Sequence, residues 1–199
     1  MDLSGGWDWE TGKRLIADLN SWKANYQWIE EPYASPDGEK VAAIARAEDE
    51  SFVVLVNDES WENGFDRVWY LRFAPDGRLT ALVSDSGEWT LAVDGEPWEE
   101  HFEFVWNTQF GTSGDIVISA VHSEKKYLVV RNGEPWEEGF FYMSHVCPSE
   151  DGQRVAAVVQ TIPSKERELE KFQQGCFSIA VDGQVRGDTF LNVWDPALE

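Results

Sequence analysis

One segment recurs along the chain, and that repeat leaves few folds open. Leu91-Ala92-Val93-Asp94-Gly95-Glu96-Pro97-Trp98 and Val129-Val130-Arg131-Asn132-Gly133-Glu134-Pro135-Trp136 are near copies. Val54-Leu55-Val56-Asn57-Asp58-Glu59-Ser60-Trp61 is a third, and Ile179-Ala180-Val181-Asp182-Gly183-Gln184-Val185 is a weaker fourth. Each Trp is followed four residues later by Phe65, Phe102 or Phe140, and four further on by Trp69, Trp106 or Ser144. The turn glycines Gly77, Gly114 and Gly152 come eight residues after that.

Each unit reads as four short strands. In one copy they run Trp69–Phe73, Leu79–Val83, Trp89–Val93 and Trp98–Val105, with Pro75-Asp76-Gly77 as the first turn. Asp94-Gly95 and Asn132-Gly133 suit the positive φ angles of a type I′ hairpin turn, and β-branched and aromatic residues flank them as strands prefer. Four strands in roughly 40 residues is the unit of a β-propeller blade. The expected fold is therefore all-β, a propeller of about five four-stranded blades forming a single domain over 1–199. Blade repeats fall near 26–64, 65–101, 102–139 and 140–189.

A composite closing blade is expected from 190–199 plus 1–25. Leu15 to Trp22 matches the third-strand segment, with Tyr26 four residues on, and Phe190 and Trp194 repeat the spacing of Phe65 and Trp69. The C-terminal strand would then pair with an N-terminal hairpin and remove both open edges. An open fragment of a larger ring is the alternative. One copy carries an insertion, Gln160 to Gly175. Ser164 suits a helix N-cap and Gly175 a helix end, and Leu169 and Phe172 would share a helix face as partner-binding anchors.

Charge narrows the partners. The 199 residues hold 37 acidic against 16 basic side chains, a formal net charge of −21. Nucleic acid and anionic membranes are bound by basic surfaces, so neither is an expected partner. No apolar run is long enough to span a bilayer. The opening residues lack the basic and apolar regions of a secretory signal, and Leu198-Glu199 resembles a cloning remnant. The two cysteines, Cys147 and Cys176, make neither a disulfide framework nor a metal-ligand cluster. A cytoplasmic protein without cofactor or metal is expected.

The periodic Trp residues, Trp22, Trp61, Trp98 and Trp136, are read as packing between adjacent blades, because a ligand platform would not recur at the blade repeat. The first strand of each blade is the more variable. One position carries Glu31, Tyr70, Asn107, His145 and Asp195, and two residues on come Tyr33, Arg72, Gln109 and Cys147. Period-2 alternation would put both sets on one face, as a candidate axial ligand site or a hydrated channel. Glu31 and Asp195 would suit paired carboxylates. His145 and Cys147 would suit a metal pair or a Cys-His nucleophile. Ser-His-Asp order, a P-loop and a dinucleotide turn are missing from the sequence. The expected protein is not an enzyme but a scaffold. The rival is a small-molecule or glycan binder or hydrolase using the axial set.

The turns Ser35-Pro36-Asp37-Gly38 and Ala74-Pro75-Asp76-Gly77 resemble those of the PD40/WD40-like propeller repeat families. Eleven Trp residues, the opening Gly6-Trp7-Asp8-Trp9-Glu10-Thr11-Gly12-Lys13 and the Asp-Gly-Glu-Pro-Trp copy look like the TmcD family. That family supplies the tryptophan-rich cytoplasmic subunit of the bacterial Tmc transmembrane redox complex. The resemblance implies an accessory, docking part in electron transfer, with partner subunits carrying the cofactors. This chain has no haem motif or cysteine cluster of its own.

Overall fold

The computed structural model describes residues 15–30, 32–122, 125–163 and 175–198. Their strands form four antiparallel sheets, one per repeat. The first sheet holds β1 (Trp28–Ile29), β2 (Tyr33–Ala34), β3 (Val41–Arg46), β4 (Phe52–Val56) and β5 (Glu59–Ser60). Both β1 and β2 pair with β3, so they are two halves of one interrupted first strand. The second sheet runs β6 (Arg67–Phe73), β7 (Leu79–Asp85), β8 (Glu88–Val93), β9 (Glu96–Pro97). The third runs β10 (Phe104–Phe110), β11 (Ile116–His122), β12 (Lys126–Arg131), β13 (Glu134–Pro135). The fourth runs β14 (Tyr142–Pro148), β15 (Val155–Gln160), β16 (Phe177–Val181), β17 (Gln184–Phe190). This is propeller-like architecture, and among the described residues no sheet closes on itself. The chain divides into two compact units, residues 1–87 with 91–97, and residues 88–90 with 98–199.

The second strand of each sheet is buried on both faces. Leu79 through Ser84 in β7 and Val155 through Val159 in β15 are all buried. A strand covered on both sides reads as a continuous apolar run rather than an alternating one. The small residues at these places are buried too, Ala42, Ala43 and Ala45 in β3 and Ala156 and Ala157 in β15; Ala42 packs with the second sheet, and Ala43 and Ala45 with Trp22. In the first unit Ala42, Ile44 and Val54 pack with Phe65, Leu71 and Leu79. In the second, Val117 and Val129 pack with Phe140, Met143 and Val155.

The turn between third and fourth strands repeats one device. Asn57, Asp94, Asn132 and Asp182 adopt φ of 54°, 48°, 51° and 51°, which Asn and Asp tolerate better than other side chains. A side-chain oxygen of each accepts the N–H that opens the second strand, from Val41, Leu79, Ile116 and Val155, at 2.9 Å in every copy. The N–H of the same residue donates back to that strand's carbonyl at 2.8–2.9 Å. The turn residue thus pins the strand ends as well as reversing the chain.

The Trp of one repeat lies on the turn glycine of the next. A methyl group at Gly95 would sit 3.1 Å from Cγ of Trp61, one at Gly133 3.5 Å from Trp98, and one at Gly183 3.3 Å from Trp136. The Trp residues are therefore packing elements, as their period indicates, and glycine is what lets the indole close on the turn.

Two expected elements differ. The Leu15–Trp22 stretch is no strand: Leu19–Asn25 forms α1, a single short helix. Asp18 caps it, its carboxylate accepting the N–H of Asn20 at 2.9 Å. Trp22 is still buried, among Ala43, Ala45 and Leu55, so its packing role survives the change of backbone. The fourth strand also differs. It is the two-residue β9 and not Trp98–Val105, followed by an isolated bridge between Trp89 and Phe102. Pro97 cannot donate a ladder hydrogen bond, which suits it to a short outer edge. Residues 191–198 form no strand, so the expected pairing of Trp194 is not seen, and Trp7 to Arg14 lie outside the described residues.

Candidate functional site

The variable first strands do not follow simple alternation. In β6, β10 and β14 the register slips between Trp69 and Arg72, Trp106 and Gln109, and Ser144 and Cys147. At each slip one residue has a left-handed backbone: Tyr70 at φ 57°, Asn107 at 61° and His145 at 48°. Asp195, which follows Trp194 as Tyr70 follows Trp69, has φ 38°. These are β-bulges, which re-aim the side chains they carry. Non-glycine residues held left-handed are strained and concentrate at functional places. Simple period-2 alternation is therefore interrupted at Tyr70, Asn107 and His145.

What the bulges bring together is local. In the first unit Tyr70 and Arg72 are both exposed, with the guanidinium 5.2 Å from the Tyr70 ring centroid. Tyr33 is exposed in β2. In the second unit His145 Nε2 lies 3.6 Å from the Asp195 carboxylate, and its Nδ1 3.0 Å from Ser144 Oγ. The Gln109 amide donates to the carbonyl of Val146 at 3.0 Å, and Asn107 is exposed. The Cys147 thiol lies 3.7 Å from the carbonyl of Pro148. Its hydrogen bond goes to backbone and not to His145. Burial pushes the Cys176 thiol up from its ordinary value. Among the described residues no three His, Cys, Asp or Glu side chains gather as a metal site. Glu31, Leu169 and Phe172 lie outside the described residues.

The second unit also holds an aromatic strip that the sequence reading missed. Ring centroids step from Trp89 to Phe104 (5.5 Å), Trp106 (6.1 Å), Tyr127 (6.1 Å), Tyr142 (6.0 Å) and Phe177 (6.4 Å). The contacts are mostly edge-on or tilted, the arrangement aromatic quadrupoles favour. Phe104 is 41% exposed and Tyr142 45%. In the first unit Trp28 and Phe52 form the same kind of edge contact at 6.2 Å. The signal is in the repeat: Trp28, Phe104 and Tyr142 each stand two residues after Tyr26, Phe102 or Phe140, while the first or second residue of each third strand, Phe52, Trp89, Tyr127 or Phe177, supplies the partner.

No protein-family model matches the chain, and no curated protein matches it. Solved structures similar to it include TolB from Acinetobacter baumannii, at 15% identity and a TM-score of 0.42, over 77% of this chain and 40% of that one. The Pyrococcus horikoshii acylaminoacyl peptidase is similar at 19% identity and a TM-score of 0.44, over 80% of this chain and 32% of that one. The chain spans less than half the length of either. At this level of likeness the fold rests on the four repeated sheets themselves.

Proposed function

We propose that the chain is a non-catalytic, propeller-type docking subunit that holds a basic protein partner. The aromatic strip from Trp89 to Phe177 is the observation that carries this reading. Large rings left partly open on an acidic surface suit an interface, where aromatic anchors supply most of the binding energy. A net charge of −21 exceeds the magnitude of about 2–8 that solubility asks of a small domain, and a basic partner would relieve its self-repulsion. The insertion with Leu169 and Phe172 belongs to the same reading as a further contact. The resemblance to TmcD supports an accessory place in a membrane-bound electron-transfer complex, with a cytoplasmic location and with the cofactors on the partners. Among the described residues no helix is long and apolar enough to cross a membrane.

The test is capture of partners from the host by the natural chain and by Phe104→Ala/Tyr142→Ala. Capture by the natural chain should fall as salt rises, since screening shortens to about 8 Å at physiological ionic strength. The double variant should lose it while remaining folded, with a melting temperature lowered by the lost ring contacts. Recovery of haem- or iron–sulfur-bearing subunits would extend the reading to electron transfer. Equal capture by both proteins would overturn it.

Ring closure belongs to this proposal. Phe190 pairs with Phe177 at the end of β17, and Trp194-Asp195 then repeats the spacing and left-handed turn of Trp69-Tyr70. Pairing of this segment with residues ahead of α1 would complete a fifth blade within one domain. Trp194 is 68% exposed, and truncating a side chain with no partner costs within about 0.5 kcal/mol. Closure predicts instead that Trp194→Ala lowers the melting temperature by several degrees, and an unchanged melting curve would reject it.

The second reading is a small-molecule or glycan binder or hydrolase. The His145–Asp195 pair on strained backbone favours it. Saturable glycan binding abolished by His145→Ala would put it first.

A further inference from the structure

The second unit contains a cleft of about 630 Å³ where the Trp136 loop faces the Asp182-Gly183 turn. Four carboxylates, Glu134, Glu137, Glu138 and Asp182, line it together with Trp136. Its charges are unequally matched. Asp182 is engaged by Arg154 at 3.1 Å. Arg131, also on the wall, is held 3.6 Å from Asp115 and donates to the carbonyl of Gln153 at 2.6 Å. Among the described residues no ion pair engages Glu134, Glu137 or Glu138.

The repeat explains why the chain is open here. In the first unit the place corresponding to Glu138 is Asn63. Its side-chain amide donates to the carbonyl of Gly95 at 2.9 Å, latching the Trp61 loop to the next turn. Glu138 faces the corresponding turn at Gly183, and a carboxylate has no proton to donate to a carbonyl. A second latch is missing too. The Trp98 loop is held by Thr90, whose hydroxyl donates to the carbonyl of Glu100 at 2.8 Å. Ser178 does the same for β17, donating to the carbonyl of Asp188 at 3.1 Å. The corresponding residue under the Trp136 loop is Leu128, which has nothing to donate. With Arg131 turned to Asp115 and Gln153, the carboxylates of Glu134, Glu137 and Glu138 beside the indole suit a donor that carries positive charge.

We infer that this cleft receives a lysine or arginine side chain from a basic segment of the partner protein, seated against Trp136 and bonded to Glu137 and Glu138. The inference rests on the docking reading above and names the chemistry by which the partner is recognised. A cation beside an indole gains from the ring quadrupole. Asn63 and Thr90 donate to backbone carbonyls, whereas here the donor is the incoming cation and the acceptors are carboxylates, which makes the bonds stronger. The same unit therefore offers two features to a partner, the aromatic strip for burial and the cleft for charge.

The experiment is a calorimetric titration of the full chain with a capped tetrapeptide carrying one lysine and one arginine. The same peptide with both replaced by glutamine is the comparison. The basic peptide should bind saturably and the glutamine peptide should not. Glu138→Asn should weaken binding at least about ten-fold, because it removes a charge-assisted hydrogen bond and installs the latch found at Asn63. Glu137→Gln should weaken it in the same direction. Glu99→Gln/Glu100→Asn, a double change on the latched Trp98 loop, should leave affinity within about two-fold, because exposed charges at a distance are screened. Absence of saturable binding overturns the assignment. So does an equal loss in the Trp98-loop variant, which would mean that overall charge alone attracts the peptide. Either failure leaves the docking reading to its own test, since Phe104 and Tyr142 do not line the cleft.

Discussion

Gly111→Ala should destabilise the protein by about 3 kcal/mol, although only one methyl group is added and no left-handed backbone is involved. The methyl would overlap the carbonyl oxygen of Asp151 and lie 2.5 Å from its carbonyl carbon and from Gly152 Cα. All three are backbone atoms, so no side chain can turn aside. The neighbouring residues hold the approach in place: the Thr112 N–H and hydroxyl both donate to the carbonyl of Glu150, at 2.8 and 3.0 Å. In a chain of this size such a loss lowers the melting temperature by roughly 6–12 °C. Ala74, at the corresponding place in the second repeat, is itself buried and tolerated. Calorimetry of Gly111→Ala beside Ala74→Gly tests the claim. An unchanged Gly111→Ala melting temperature would show that these two turns do not touch.

Gly95→Val should cost more than Gly77→Val, and the difference should measure the Trp61 contact. Both glycines are left-handed, at φ 95° and 85°, so each substitution carries a backbone penalty of about 1–2 kcal/mol. Nothing lies within 4 Å of a Cβ placed at Gly77, whereas one at Gly95 would be 3.1 Å from the Trp61 ring. Displacing a packed indole adds about 1–3 kcal/mol. Denaturant unfolding of the two variants, with their m-values compared, reads the difference directly. Equal costs would mean that the Trp61 ring moves freely off its turn.

Both substitutions fall where one repeat touches the next. The Trp-on-glycine contact recurs from Trp61 through Trp136, yet only around Trp136 are both polar latches missing. The junction holding Asn63 is closed by an internal hydrogen bond. The one holding Glu138 has no such latch, because a carboxylate has no proton to donate.

Much of the fold was legible in the sequence, for a physical reason. Hairpin turns depend on which residues tolerate positive φ, and Asp94-Gly95, Asn132-Gly133 and Asp182-Gly183 state that locally. Buried strands require unbroken apolar runs, and Leu79–Val83 and Val155–Val159 state that too. Repetition then makes each local reading confirm the next, so the four sheets and the packing role of Trp61, Trp98 and Trp136 followed from the chain alone. What the tertiary structure decided depends on neighbours distant in sequence. The bulges at Tyr70, Asn107 and His145 arise from register against the second strand, and no alternation pattern announces them. The helix at Leu19–Asn25 has a local cap in Asp18, but the pocket that buries Trp22 is made by Ala43, Ala45 and Leu55, about twenty to thirty residues on. The identity of Gly111 is explained only by Asp151, forty residues later, and the open cleft only by comparing what Asn63 and Thr90 bond with what Glu138 and Leu128 cannot. Local conformational preference is written into each residue, whereas contact, register and unsatisfied hydrogen bonding are properties of pairs, and pairs exist only once the chain has folded.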